Sequence, residues 1–73
     1  MNIKEIEEKL NSRFKGKIEI EKVVSEFYKI SFYYKEIEFY FTYHWDNLIC
    51  EDQNIYFIME SIKDYLFRYF IQK

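Results

Sequence analysis

Hydrophobic residues recur with two different periods along this chain. From the N-terminus, Ile3, Ile6, Leu10 and Phe14 return at helical spacing with Glu5, Glu8, Lys9 and Ser12 opposite them, which predicts an amphipathic helix over about residues 2–14. Asn2 followed three residues later by Glu5 reads as a capping box, and Gly16 stands where a left-handed C-terminal cap is wanted. Beyond Gly16 the period becomes two. Lys17 to Glu21 alternates as a half-buried strand does, Val23 and Val24 break the alternation, and Ser25-Glu26 suits a turn. Two more strands read Phe27 to Tyr34 and Ile37 to Tyr43. Tyr28, Ile30, Phe32 and Tyr34 share one face of the first; Ile37, Phe39, Phe41 and Tyr43 share one face of the second.

Facing residues of an antiparallel pair project to the same side, so a one-residue slip would reverse a whole strand. Phe32 opposite Ile37 sets apolar against apolar and leaves Tyr34-Lys35 as a two-residue turn. A wider loop, shifted so that Tyr34 faces Ile37, keeps the same parity, and both alternatives stand, because neither turn contains the Gly or Asn that such turns favour. His44 to Asp52 is a connection in which Asp46-Asn47 signals a turn and Leu48-Ile49-Cys50 reads as a short extra strand or a plug for the core. Asp52 is the expected cap of a last helix over about residues 53–71, whose main stripe is Ile55, Ile58, Met59, Ile62, Leu66, Tyr69 and Phe70. Tyr56, Phe57, Phe67 and Ile71 fall away from that stripe, among Glu60 and Asp64.

The expected class is therefore α+β, in the order α-β-β-β-α: a three-stranded antiparallel sheet with both helices on its apolar face and the opposite face open to solvent. The 73 residues make one domain, 1–73, with no linker, low-complexity tract or repeat. A core this small is marginal, and the single cysteine, Cys50, excludes an intrachain disulfide. Aromatic mass takes the place of such staples: eight Tyr, eight Phe and one Trp form 23% of the chain. The N-terminus has no apolar signal region, and the longest apolar run, Ile55 to Met59, is far shorter than the roughly 20 residues of a membrane span. A cytoplasmic chain that engages no membrane is the expectation.

The residues that carry chemistry are few. His44 and Cys50, with Asp46 and Asp52 nearby, contain the side chains of a thiol nucleophile and its base, but one His, one Cys and one Gly leave little with which to build an oxyanion site. The same cluster offers two nitrogen or sulfur ligands where a structural zinc site takes four. A metal-binding or Cys-dependent protein is the remote alternative; no cofactor, metal or small-molecule substrate is expected, and the chain reads as a non-enzyme. The element order is similar to that of double-stranded-RNA-binding domains, which place basic residues at the start of the last helix. Here that stretch is Glu51-Asp52-Gln53-Asn54, and Glu19, Glu21, Glu36 and Glu38 crowd the open sheet face, so the likeness implies no function and no nucleic-acid partner is expected. Net charge is −2, from 11 basic and 13 acidic residues of interspersed sign.

Two surfaces suit a protein partner instead. One is the open sheet face, where Phe27, Tyr33 and Tyr40 mix with Lys29, Glu36 and Glu38. The other is the outer side of the last helix, Tyr56, Phe57, Phe67 and Ile71. The leading expectation is a protein-binding module, an inhibitor or accessory protein of a phage or mobile element that covers its partner's functional surface. The alternative is a homo-oligomer, most simply a homodimer, formed through the last helix.

Overall fold

Alternation sorts the strand residues onto two faces, and both helices settle on the apolar one. The computed structural model describes residues 2–71, as α1 (Ile3–Asn11), β1 (Lys17–Val24), β2 (Phe27–Tyr34), β3 (Ile37–His44) and α2 (Glu51–Phe70). The sheet is antiparallel throughout, with β2 in the middle. Ile18 of β1, Tyr28, Ile30 and Phe32 of β2, Ile6 and Leu10 of α1, and Ile55, Ile58, Met59 and Ile62 of α2 form one buried core. Phe32, fully buried, is its centre: its ring meets Phe14, Phe39, Phe41 and Tyr65 with centroids 5.0–6.4 Å apart. Truncating so enclosed a ring costs about 3–5 kcal/mol, a large share of a small domain's stability.

Each end of α1 has a local cause. Asn2 Oδ1 accepts the Glu5 amide at 3.2 Å, as the capping pattern predicts. The helix stops at Asn11, short of the expected residue 14, because Asn11 and Ser12 turn their side chains to backbone groups. Ser12 Oγ donates to Lys9 O, and Asn11 bonds Ile18 on both sides, accepting its N–H at 2.8 Å and donating to its carbonyl at 3.0 Å. One turn earlier, Glu7 Oε2 accepts the Ile20 N–H at 2.8 Å. The outer edge of β1 is thus sealed by side chains of α1. Phe14 still reaches the core from the loop that follows.

Gly16 departs from expectation. It lies beyond the helix end and has no left-handed backbone. Its glycine is required by close approach, since a Cβ there would collide with the Tyr33 carbonyl oxygen and the Phe14 ring. Between β2 and β3, Tyr34 faces Ile37, so the loop is Lys35-Glu36, with φ of 50° and 67°. Both residues occupy the left-handed region that a tight hairpin demands, without the Gly or Asn that would enter it freely. At the other end, α2 begins at Glu51 with Cys50, rather than Asp52, at the cap position; Asp52 lies inside the first turn. Leu48 to Cys50 is neither a strand nor a core plug: it is turn, and Leu48 is 96% exposed.

Two stability measurements check this account by chemical unfolding. Gly16→Ala should lower stability by about 1–3 kcal/mol, the cost of forcing atoms into filled space. Replacing the turn by Asn-Gly (Lys35→Asn with Glu36→Gly) should raise stability by about 1 kcal/mol, by relieving two side chains held at positive φ. An unchanged midpoint in either case contradicts the corresponding reading.

Candidate functional site

The open face of the sheet is a grid set by the strand registers. Lys17, Tyr33 and Glu38 form one row; Glu19, Ser31 and Tyr40 the next; Glu21, Lys29 and Thr42 the third; and Phe27 with His44 the last. Most of the open-face residues predicted from sequence are brought together here. Tyr40 stands 64% exposed, with the Lys29 ammonium 4.9 Å from its ring centroid. Phe27 stacks on His44 at 4.7 Å, and His44 Nε2 lies 3.4 Å from Glu26. Hydrogen bonding to Glu38, directly across the register, holds the Tyr33 phenol proton and raises its pKa above the ordinary 10.0; desolvation and the charges of Glu38 and Glu19 act in the same direction. Glu36 lies in the turn at the end of this face, outside the strand.

The outer side of α2 is less continuous. Tyr56 and Phe57 meet edge to face at 5.8 Å near its start, while Phe67 and Ile71 lie near its end, about 15 Å further along the axis. Glu60 and Lys63, paired at 3.4 Å, and Asp64, paired with Arg68 at 3.1 Å, occupy the stretch between them. Phe67 and Ile71 instead border a shallow groove of about 590 Å³ with Tyr34, Lys35, Lys63 and Phe70. All four helix residues are exposed.

His44 and Cys50 are not joined into a reactive pair: His44 is engaged by Phe27 and Glu26, and Cys50 stands exposed at the start of α2. Among the described residues no three His, Cys, Asp or Glu side chains converge as metal ligands would. No helix among them is long and apolar enough to cross a membrane.

Sequence reasoning missed the polar centre that shapes the end of the molecule near Leu48. Asn54, fully buried in α2, uses its whole hydrogen-bonding capacity there. Its Oδ1 accepts from Tyr43 Oη at 2.6 Å and from the Asp46 amide at 3.1 Å, and its Nδ2 donates to the carbonyls of Asp46 and Cys50. Glu26, at φ 64°, ties the β1–β2 turn to the same connection, accepting from Trp45 N at 2.8 Å and Asn47 Nδ2 at 2.7 Å. Leu48 is displayed by a loop fixed from within. Buried helix positions are ordinarily apolar, so a lone Asn in the α2 pattern gave no sign of this role.

No family model, curated protein or solved structure matches this chain, so the functional reading rests on its geometry.

The Asn54 centre has a pH signature. Burial, and secondarily the charge of Asp46, raise the Tyr43 pKa above 10.0. A group whose folded pKa is raised contributes stability that is complete below its unfolded value and disappears as pH rises through the folded value. An ionised Tyr43 also has no proton to give Asn54. Unfolding free energy should therefore fall more steeply above about pH 10 in the native chain than in Tyr43→Phe, whose neutral-pH cost is about 1 kcal/mol for the lost hydrogen bond. Parallel curves for the two proteins would exclude this coupling.

Proposed function

We propose that this chain is a non-enzymatic protein-binding module, and that its open sheet face is the surface that docks the partner. The observation that carries the reading is the exposed ring of Tyr40 in the middle rows of a hydrogen-bonded sheet, bracketed by Lys29 and by the half-exposed Tyr33 and Phe27. Tyrosines held on a rigid strand bring large contact area at little entropic cost, and neighbouring carboxylates and an ammonium add orientation. Glu19, Glu21 and Glu38 on the same face disfavour a phosphate backbone and suit a protein surface with basic and apolar groups.

The mode of action that fits a chain of this size is coverage: an inhibitor or accessory protein that occludes the functional surface of its partner. A phage or mobile-element origin is consistent with the richness of the chain in Ile, Lys, Phe, Tyr and Asn. The open face has stronger support than the outer side of α2, where the charged side chains of Glu60, Lys63 and Asp64 divide the apolar residues into two pairs.

Affinity capture from the source cell, followed by mass spectrometry, identifies what the chain binds; the variants then locate the site. Tyr33→Ala with Tyr40→Ala should weaken binding by about 100-fold or more, as expected when central aromatic anchors are lost, and leave the circular dichroism spectrum unchanged. Lys29→Glu should act in the same direction, whereas Phe67→Ala should retain the partner. Full binding by the open-face variants, or loss with Phe67→Ala alone, would overturn the assignment.

A further inference from the structure

The two edges of the sheet are treated differently. On β1, α1 seals the backbone through Asn11 and Glu7, the strand carries Lys17, Glu19, Glu21 and Lys22, and a bulge interrupts it between Lys22 and Val24. Those are the devices by which proteins keep a sheet edge from pairing with another chain. β3 has neither the seal nor the bulge and is nearly free of charge: it runs eight residues as Ile-Glu-Phe-Tyr-Phe-Thr-Tyr-His in unbroken register with β2, without Pro, Gly or Lys, and with Glu38 as its one carboxylate. The pair Tyr34–Ile37 closes the hairpin, and the odd-numbered series continues to Trp45, whose N–H reaches Glu26 O. The N–H and C=O groups of Glu38, Tyr40, Thr42 and His44 accordingly point away from β2, along the outer edge of the sheet.

Above that edge the core is not fully covered. Phe39, Phe41 and Tyr43 are only partly buried. The α2 residues that flank them, Tyr65 stacked on Phe41 at 5.3 Å and Tyr69 set edge-on to Phe39 at 5.2 Å, are 42% and 44% exposed. The result is an aromatic shelf beside an open strand edge.

We infer that β3 pairs antiparallel with β3 of a second copy of this chain, about a two-fold axis through Phe41, to form a continuous six-stranded sheet. An axis perpendicular to the sheet keeps the two apolar faces on the same side, so the shelves of the two copies meet. Phe41 then faces Phe41 of the second copy, Phe39 faces Tyr43, and the Tyr65 rings close over the junction. On the opposite face Tyr40 faces Thr42, and the carboxylate of Glu38 faces the imidazole of His44, which already has Glu26 on its other side. This register pairs all four outward residues of each strand and sets a carboxylate beside an imidazole at both ends of the ladder. The rings and the strand edge together bury on the order of 600 Å² per copy, at the lower end of what stable interfaces bury. It stands independently of the partner proposed above and would set two open faces side by side.

Light scattering across a concentration series, with amide hydrogen exchange read at each concentration, tests the pairing. The mass should rise to twice that of the chain at high concentration, and the amides of Glu38, Tyr40, Thr42 and His44 should become protected at least 10-fold on association, while those of Phe39, Phe41 and Tyr43 are protected throughout. Thr42→Pro removes an outward N–H, at an edge-strand position where proline is tolerated, and should abolish the dimer; if the fixed φ of the ring also unfolds the chain, the exchange pattern of the native protein still decides. Phe67→Ala should leave the dimer intact. A single-chain mass at high concentration, concentration-independent exchange at the four outward amides, or a dimer lost with Phe67→Ala and kept with Thr42→Pro would each overturn the pairing.

Discussion

The hydrogen bonds from α1 to the margin of β1 determine how this small sheet is covered. Because Asn11 and Glu7 bond the backbone of Ile18 and Ile20, α1 is fixed alongside the first strand as well as above it. A helix bound only by apolar contacts could slide toward the middle of the sheet; one held by directional bonds to a strand edge cannot do so without leaving polar groups unpaired. Cover for β2 and β3 therefore falls to α2, whose 20 residues run over the rings of Phe32, Phe39 and Phe41. Lys9 of α1, 3.4 Å from Glu51, links the first helix to the start of the second. The sealed β1 edge, the buried Phe32 and the half-covered rings along β3 follow from this one placement.

Around the start of α2, buried polar groups maintain order beside the ring contacts of Trp45. Asn54 joins the end of β3, the connection and the start of α2, and its four bonds leave nothing unsatisfied. Its value lies in geometry: a buried amide with every donor and acceptor used tolerates one arrangement of its neighbours, whereas an apolar residue would tolerate several. Glu26 does for the β1–β2 turn what Asn54 does for the helix, and it accepts a left-handed backbone to do so. A chain with one glycine and no proline has few conventional means of turning, and here side-chain hydrogen bonds supply them.

The sheet was legible because period-two patterning is redundant: Tyr28, Ile30, Phe32 and Tyr34 against Ile37, Phe39, Phe41 and Tyr43 allow one parity, whichever loop joins them. The features that escaped depend on contacts between residues distant in sequence. Gly16 looked like a helix cap because it follows a helical stripe, but its constraint is the Tyr33 carbonyl across the sheet. Leu48-Ile49-Cys50 looked like strand or core because it is apolar, but the Asn54 centre holds the connection where Leu48 faces solvent. The four residues on the outer side of α2 were correctly placed away from its buried stripe; helical angle alone, however, hides the axial gap between Phe57 and Phe67 and the ion pairs that occupy it. The open-face residues were found from parity, yet the cross-strand neighbours that define their chemistry, Glu38 beside Tyr33 and Lys29 beside Tyr40, required the register.

Period two also separates the duties of adjacent residues. In β2, Phe32 is completely buried while Tyr33, next in the chain, is turned to the opposite face among Lys17 and Glu38. In β3, Phe39 and Phe41 pack beneath α2 while Tyr40 between them stands in solvent. A change at Tyr33 or Tyr40 alters the outward face without opening a cavity, whereas a change one residue away removes part of the buried core. The exposed face and the core are thus built from interleaved sets of side chains. The edge of β3 is where the two sets meet, because pairing there engages the backbone beneath both, and so a single contact at that edge can enlarge the core and extend the exposed face together.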